Sequence, residues 1–348
     1  MKIKMSPFAI PAVMQVPAFT GGGKISICEK PVPQPGAGEL LIQVKANALC
    51  GSERWQFYDG TETTPGHETA GVVVATGSGT KTPVGTPGVI FLMDFCGTCR
   101  SCRLGFTQQC LAKRGDMGFN RDGGYSPYEL VHENIFFPID AGISLTEATL
   151  LLDIMGTSSH AIQRARLIRP DIESVVVTGA GPIGLGILAM LRILLGEDIS
   201  VIIADFVDYR LKLIESLRGL PLDLKRYELQ AGLRHHGLIS VDAAFDTSGK
   251  AAARRACLNV LAQRGVLVCV GHGEGLDLTV SPDLIAPERA VLGSEYFRYD
   301  ELPANLSYLR QNRAYLTQLI THRFPIRDVQ EAFELFFSGN SGKVVVEQ

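Results

Sequence analysis

The sequence predicts an α/β protein of two domains, one built on a doubly wound parallel sheet and one that is β-rich. Residues 171–294 alternate short β-branched runs with helical runs, which is the pattern of a parallel sheet with crossover helices. Residues 1–150 hold short apolar runs between Gly and Pro clusters, as in a small sheet or barrel. The 348 residues also exceed the roughly 250–300 that a single hydrophobic core supports.

Composition and charge narrow the class of protein. Hydrophobic residues make up 46% of the chain and charged residues 20%, the proportions of a globular enzyme with a packed core. The net charge of −3 is against a nucleic-acid or membrane-surface partner. Apolar runs stay below the roughly 18 residues of a membrane span, and prolines interrupt the N-terminal stretch where a signal peptide needs continuity. We therefore expect a cytoplasmic protein.

The same patterns predict individual elements. Residues 39–46 and 69–75 are expected to be strands, and Asp153–Leu167 a helix that ends before Pro170. Residues 216–236 are expected to form a loop because they contain Pro221 and two adjacent histidines. The expected strands of the parallel sheet are Val175–Thr178, Ile199–Ala204, Val241–Phe245, Val266–Val270 and Arg289–Leu292. The expected elements of the tail are helices Leu302–Asn312, Tyr315–Thr321 and Val329–Phe337 and a strand Gly342–Val346.

One stretch of the parallel region predicts a ligand. Gly179, Gly181 and Gly184 are spaced G-x-G-x-x-G between a strand and a helical run, and Asp205 ends the second strand. The glycines allow a tight turn, a close approach of pyrophosphate and close helix packing, and the helix N-terminus offers unpaired N–H groups to phosphates. An acid at this point accepts hydrogen bonds from a ribose 2′-OH and repels a 2′-phosphate, so NAD is predicted rather than NADP. The alternative is a glycine-rich turn of an unrelated sheet. The predicted turn comprises Gly179, Gly181, Pro182, Ile183 and Gly184.

Four cysteines fall within fifteen residues of the β-rich part. Cys96, Cys99, Cys102 and Cys110 are spaced C-x2-C-x2-C-x7-C. The short gaps let successive thiolates point to one centre, and the longer loop returns the fourth. The set therefore predicts a closed, structural Zn²⁺ site with no open position. An iron–sulfur cluster and four unrelated thiols are the alternatives.

Other possible metal ligands are scattered along the chain. Cys50 follows a strand-like run, His67 and Glu68 precede another, and Asp153 begins a predicted helix. Spacing cannot link residues this far apart. Each also has a plain alternative, namely a buried thiol, a loop histidine or a helix cap.

Taken together, the motifs resemble the zinc-containing medium-chain dehydrogenase/reductase family of alcohol and polyol dehydrogenases. The resemblance runs from about Pro31 to Val346 and rests on C-G-S, G-H-E, the four cysteines, R-D-G-G-Y-S-P-Y, G-A-G-P-I-G, F-D-T-S-G and G-K-V-V-V. It implies a GroES-like catalytic domain over residues 1–152 and 295–348, with a structural zinc lobe over about 94–112. It implies a Rossmann domain over residues 153–294 and assembly as a homodimer or homotetramer.

The resemblance also implies roles by position. Cys50, His67 and Asp153 would hold a catalytic zinc, with Glu68 beside them as a carboxylate that can swing in as a ligand. Ser52 would take the proton of the substrate hydroxyl, although it could also cap the helix that follows. The further cofactor contacts implied are Arg210, Thr247, Ser248, Gly271 and Ser294.

Some residues depart from the family. Trp55 stands where the family often has the histidine that ends its proton relay, and an indole cannot accept or pass a proton. Trp55 is therefore expected to shape the pocket with Phe57 and Tyr58, or to lie with them in the core. His272 is a tempting proton donor, but a backbone contact to the cofactor or a solvent-facing turn is the favoured explanation. Glu53 could bind a polyol or be a surface or structural residue.

The sequence therefore predicts a zinc-dependent oxidoreductase that transfers a hydride between NAD and a secondary alcohol, polyol or sugar-like substrate. Two zinc ions per chain are expected, one catalytic and one structural. A carbonyl reductase that uses mainly reduced cofactor is one alternative. An NAD- and zinc-binding protein that has lost turnover is another, and only Trp55 favours it.

Overall fold

The computed structural model describes residues 9–140 and 142–348. The strands in this part of the chain are β1 Val13–Gly21, β2 Lys24–Pro31, β3 Glu39–Ala48, β4 Thr69–Thr76, β5 Pro87–Ile90, β6 Met93–Asp94, β7 Gly115–Asp116, β8 Tyr128–His132, β9 Phe136–Pro138, β10 Ser174–Thr178, β11 Ser200–Asp205, β12 Leu220–Asp223, β13 Val241–Asp246, β14 Leu261–Cys269, β15 Ala290–Gly293, β16 Ile320–Pro325 and β17 Lys343–Glu347. The α-helices are α1 Arg54–Asp59, α2 Arg100–Arg103, α3 Leu145–Ala148, α4 Ser158–Ile168, α5 Pro182–Leu195, α6 Asp208–Ser216, α7 Leu229–His235, α8 Ala251–Asn259, α9 Leu302–Gln311, α10 Arg313–Leu316 and α11 Val329–Ser338. None of these helices has the length and apolar character needed to cross a bilayer.

One sheet draws its seven strands from both ends of the chain. Its order is β16-β17-β3-β4-β5-β9, and β8 also pairs with β3. The apolar run of β3 is buried from Leu40 to Ile42. β17 runs antiparallel to β3 and pairs Val345 with Ala48. The last strand of the chain therefore completes a sheet that the first half begins, and it brings Lys343 next to the end of β3.

The second sheet is the parallel one, with six strands in the order β12-β11-β10-β13-β14-β15. β10 and β11 are nearly continuous runs of valine, isoleucine and alanine, and their apolar residues are buried because helices cover both faces. The strand order reverses at β10, so a crevice opens at the carboxyl ends of β10 and β13, where sheets of this kind bind ligands. The prediction of a doubly wound parallel sheet is confirmed.

A single hydrophobic cluster joins the two sheets. It includes Phe91 after β5, Phe297 after β15 and Leu185 of α5. The rings of Phe91 and Phe297 meet edge to face with centroids 5.2 Å apart. On α5, a Cβ added at Gly186 would lie 2.6 Å from the carbonyl oxygen of Ile154, so only glycine allows this helix to approach so closely. Shared packing thus holds the two sheets together.

Two expectations about local structure are wrong, and a third is refined. Residues 216–236 contain β12 and α7 rather than a loop, and Pro221 is tolerated because β12 is an edge strand. The expected helix over residues 315–321 ends early, since α10 stops at Leu316 and β16 begins at Ile320. The helix expected from Asp153 starts with a π-helical turn, Asp153–Thr157, before α4 begins. Such turns are frequent at functional sites.

Candidate active site

Cys50, His67, Glu68 and Asp153 converge on one centre. They come from the end of β3, the segment before β4 and the π-helical turn, and one ligand atom from each lies within 4.8 Å of all the others. Cys50 Sγ is 3.1 Å and His67 Nε2 is 3.6 Å from Asp153 Oδ2. The structure therefore brings together the four residues that sequence spacing could not link.

A buried carboxylate, Glu53, orients this cluster. Glu53 Oε1 lies 3.3 Å from His67 Nδ1, which leaves Nε2 of the ring for the centre of the cluster. Its Oε2 accepts hydrogen bonds from the Tyr125 hydroxyl at 3.0 Å and the Cys50 backbone N–H at 3.2 Å. Glu53 is fully buried, so of its three expected roles the structural one fits and the surface and substrate-binding ones do not.

A buried lysine faces the cluster from the far end of the chain. Lys343 Nζ pairs with Glu68 Oε1 and donates to the carbonyl of Leu49 at 2.9 Å. Both charged side chains are completely buried. Sequence reasoning missed Lys343, which looked like an ordinary member of the closing G-K-V-V-V. A lysine that opens a strand of buried valines needs a counter-ion, and this rule would have found it.

The charges of the cluster suit a divalent cation. Burial alone would raise the pKa of Asp153, but His67 lowers it to about 2. Burial and then Asp153 raise the pKa of Glu68 well above its ordinary value, although Lys343 opposes this. Glu68 Oε2 has no hydrogen-bond partner in the described chain. The thiol, the imidazole and the two carboxylates form a donor set that fits Zn²⁺, and Lys343 pairs with one of the carboxylates.

The residues that follow Cys50 include both solvent-exposed and buried side chains. Ser52 is exposed and its hydroxyl donates to Cys50 Sγ at 3.2 Å. Cys50, and not Ser52, caps the turn that leads into α1, so the capping alternative for Ser52 is wrong. Phe57 lies in the core, whereas Trp55 is 47% exposed and Tyr58 is 43% exposed. The core alternative therefore holds for Phe57 and fails for the other two aromatic residues.

The four clustered cysteines also converge. Cys99 Sγ lies 3.4 Å from Cys102 Sγ and 3.9 Å from Cys110 Sγ, and Cys96 Sγ is 4.0 Å from Cys102 Sγ. These distances are far longer than the roughly 2.05 Å of a disulfide and fit four sulfurs around one ion. The backbone N–H of Thr98 is the main reason why the pKa of Cys96 falls to about 6.

The lobe that carries these cysteines is fastened to the rest of the chain. Thr107 Oγ1 accepts a hydrogen bond of 2.9 Å from the backbone N–H of Tyr299. The amide of Gln108 lies 3.4 Å from the ring of His160 on α4. An ion in the lobe would thus stabilise one wall of the cleft.

The glycine-rich turn has the geometry that its spacing predicts. Gly179 has φ +91°, a conformation that other residues rarely adopt. A Cβ at Gly184 would lie 1.9 Å from the Gly179 carbonyl, whereas one at Gly181 would meet nothing within 4 Å. Gly181 thus leaves open space at the N-terminus of α5, where Pro182 is the first residue. Ile183 follows it and is partly buried.

Asp205 lies beneath this turn. It is 4% exposed, and its carboxylate accepts backbone hydrogen bonds from Ala180 at 2.7 Å, Phe206 at 2.7 Å and Val207 at 2.9 Å. Arg210 lies 3.7 Å from Asp205 Oδ2. The carboxylate is therefore fixed in place at the carboxyl end of β11.

The other predicted cofactor residues lie along the same edge of the sheet. Thr247 donates to the Gly179 carbonyl at 2.9 Å, so its hydroxyl supports the glycine-rich turn, and Ser248 donates to Asp246 at the end of β13 at 2.6 Å. A Cβ at Gly271 would approach the Gly249 nitrogen to 2.6 Å. Ser294 is buried, and its hydroxyl has no partner in the described chain. Thr157, the last residue of the π-helical turn, is also buried, and its hydroxyl has no partner in the described chain. Sequence reasoning missed this residue.

Family models match nearly the whole chain. Residues 36–141 match an alcohol dehydrogenase GroES-like domain, and residues 152–347 match a glucose dehydrogenase C-terminus. An uncharacterized zinc-type alcohol dehydrogenase-like protein of Escherichia coli (strain K12) is 29% identical over 94% of this chain and 96% of its own length. An L-threonine 3-dehydrogenase of Saccharopolyspora erythraea is 30% identical over 93% of this chain and 95% of its own.

Solved structures share the fold. An alcohol dehydrogenase from Escherichia coli CFT073 in complex with NADH superposes with a TM-score of 0.87, at 23% identity and over 97% of this chain and all of that one. A cobalt- and zinc-bound alcohol dehydrogenase from Pyrobaculum aerophilum gives a TM-score of 0.80 at 25% identity, over 97% and 100% of the two chains.

The chain combines a parallel sheet of the dinucleotide-binding type with a β-rich part and two candidate metal centres. This combination defines the class of protein as the metal-dependent nicotinamide oxidoreductases. Within that class, the chain belongs to the zinc-containing medium-chain dehydrogenase/reductase family. It is an NAD-dependent zinc oxidoreductase, and the predictions of family, fold class, activity and cofactors are confirmed.

Proposed function

We propose that this oxidoreductase acts on a secondary alcohol, polyol or sugar-like substrate and that Cys50, His67 and Asp153 hold its catalytic zinc, with Glu68 beside them. The observation that carries the proposal is the convergence of these four side chains, one ligand atom of each lying within 4.8 Å of all the others. When bound there, zinc supplies a Lewis acid that lowers the pKa of a hydroxyl. A relative that acts on L-threonine, itself a secondary alcohol, supports this substrate class.

The side chains of the site divide the work of oxidation. The carbinol carbon gives a hydride to NAD⁺, and Ser52 receives the proton of the hydroxyl and passes it to solvent, to which it is exposed. Glu53 holds the His67 ring in orientation, and Lys343 restrains Glu68 from the opposite side. Trp55 cannot pass a proton, so direct contact of Ser52 with solvent takes the place of the outer residue of a proton relay.

The cofactor lies along the carboxyl ends of the parallel strands in this proposal. The residues that would hold its pyrophosphate are Gly179, Gly181, Pro182, Ile183 and Gly184 at the start of α5. Asp205 would accept hydrogen bonds from the ribose hydroxyls, and Arg210 would lie near the adenine. Thr247, Ser248, Gly271 and Ser294 would line the nicotinamide side. Because the Asp205 carboxylate repels a 2′-phosphate, NAD is bound in preference to NADP.

The remaining assignments concern the structural zinc and the organisation of the chain. We propose that Cys96, Cys99, Cys102 and Cys110 hold a structural zinc ion. We also propose a catalytic domain over residues 1–152 and 295–348, a cofactor domain over 153–294, and a cytoplasmic homodimer or homotetramer. The return of β17 to the first sheet supports the split domain. Light scattering of the purified protein tests the assembly, and a monomer would contradict it.

A substrate panel with NAD⁺ tests the proposal. Secondary alcohols, polyols and cyclitols are incubated with zinc-loaded protein, and the absorbance of NADH is followed. We expect turnover of at least one class. Asp153→Asn should lose about 100-fold or more in kcat/KM and part of its zinc, while Asp59→Asn, an exposed residue of α1, should match the parent protein.

Two results would contradict the proposal. The first is full zinc content and activity in Asp153→Asn, which would remove Asp153 from the ligands. The second is the absence of NADH formation across the panel from protein with two zinc ions. Ketones with NADH form the reverse arm, and turnover confined to that arm would identify a carbonyl reductase.

A further inference from the structure

A cavity of about 520 Å³ lies at the carboxyl ends of β14 and β15, opposite the four-cysteine lobe. Its floor contains Gly271 and Ser294, which the proposed function places beside the nicotinamide. The opposite wall includes Gln108 and Gln109 of the lobe. Gln108 is 6% exposed, and its Oε1 has no hydrogen-bond partner in the described chain. The lining of the cavity also includes one carboxylate, that of Glu295.

An ion pair stands on the rim of this cavity. His272 follows β14, Glu295 follows β15, and the parallel pairing of these strands places the two side chains together, with His272 Nε2 3.3 Å from Glu295 Oε2. Glu295 is 43% exposed, and its Oε1 makes no ion pair or hydrogen bond within the described residues. One carboxylate oxygen is thus held by the histidine, and the other is left for a ligand.

The carboxylate of Glu295 carries a charge that a ligand in the cavity would meet. The hydrogen bond from His272 lowers the pKa of Glu295, and Asp153 acts in the opposite direction. Glu295 is therefore ionised at neutral pH, and it lines the cavity together with Gly271 and Ser294. A substrate that covers Glu295 without offering a hydrogen-bond donor would strip water from the carboxylate and give nothing in return, which disfavours an unsubstituted hydrocarbon chain. A substrate with a donor group at this place would replace the lost water contact.

We infer that Glu295, positioned by His272, is the specificity-determining residue of this cleft. It accepts a hydrogen bond from a second donor group, a hydroxyl or an ammonium, on a carbon near the carbinol of the substrate. The inference rests on the proposed oxidation of alcohols and names the feature that separates good substrates from poor ones. It predicts that diols or amino alcohols are preferred to simple secondary alcohols.

Three compounds with one carbon skeleton test this inference: 2-butanol, 2,3-butanediol and 3-amino-2-butanol. The ratio of kcat/KM for each substituted compound to that for 2-butanol is measured with NAD⁺. The zinc-loaded parent protein is compared with Glu295→Gln, Glu295→Leu and the control Glu331→Gln, an exposed glutamate of α11. We expect a high ratio in the parent and the control. Glu295→Leu should lower the ratio by about 10- to 100-fold, the effect of a hydrogen bond to a charged group, while 2-butanol turnover is retained.

The Gln variant distinguishes the two donor groups and also serves if Glu295→Leu fails to fold. A larger loss for the ammonium than for the hydroxyl compound in Glu295→Gln identifies an amino alcohol as the preferred class, and the reverse identifies a diol. An unchanged ratio in both Glu295 variants overturns the inference while turnover of 2-butanol sustains the proposed function. No NADH from any of the three compounds with the parent protein overturns both.

Discussion

Replacing Lys343 by methionine tests how the buried charges of the cluster around Cys50 are balanced. The substitution keeps the length and apolar volume of the side chain but removes its ammonium group. Lys343 and Glu68 are both completely buried, so no water replaces the lost partner. The variant also removes the hydrogen bond to the Leu49 carbonyl, next to Cys50.

The expected cost follows from the burial of Glu68. Breaking a buried ion pair by removing one partner costs about 3–5 kcal/mol, because the other group stays buried without its partner. Lys343→Met should therefore lose about this much free energy of unfolding. Removing both charges, in the double variant with Glu68→Gln, should recover most of that loss.

Urea unfolding of metal-free protein, followed by fluorescence, measures these differences. Lys45→Met on β3 is the matched control, since Lys45 is partly exposed and forms no ion pair in the described chain. A loss below about 1 kcal/mol in Lys343→Met would refute the reasoning. So would a double variant less stable than Lys343→Met alone.

Three further predictions concern other parts of the molecule. Asp205→Ser should raise the use of NADP relative to NAD by about 10-fold or more, and steady-state kinetics with both cofactors would show an unchanged ratio if Asp205 does not read the ribose. Burial raises the pKa of Glu129 to about 8, an effect that the nearby Thr69 hydroxyl offsets in part. The folded state therefore binds this proton more tightly, and the stability it confers is lost as the pH rises from about 4.5 to about 8, by at most about 5 kcal/mol. Glu129→Gln should flatten that decline in pH-dependent urea unfolding, and an equally steep decline would contradict the assignment. Cys102→Ser should lose one zinc ion per chain and melt earlier than the parent protein, and full zinc retention by elemental analysis would exclude Cys102 as a ligand.

The parallel sheet was predictable because its evidence is local. The turn at Gly179 and the apolar runs of β10 and β11 can each be recognised from a few consecutive residues. The four cysteines are equally local. β12 was missed because Pro221 is a poor strand residue in general, and only its place at the sheet edge makes it acceptable.

The candidate metal centre was predictable only in part. Cys50, His67, Glu68 and Asp153 could be suspected one by one, but only tertiary structure brings them within 4.8 Å. Lys343 reaches Glu68 across 275 positions of sequence, a contact that no periodicity reveals. The pair of His272 and Glu295 depends in the same way on the pairing of β14 with β15.

Elemental analysis of zinc tests the central claim most directly. The claim is that the cluster around Cys50 holds a second zinc ion, separate from the one in the four-cysteine lobe. We predict two zinc ions per chain in the parent protein and in Cys28→Ser, a control at a cysteine of β2 outside both clusters. Cys50→Ser should hold one zinc ion and form no NADH. A single zinc ion in the parent protein, or two in an active Cys50→Ser, would contradict the account.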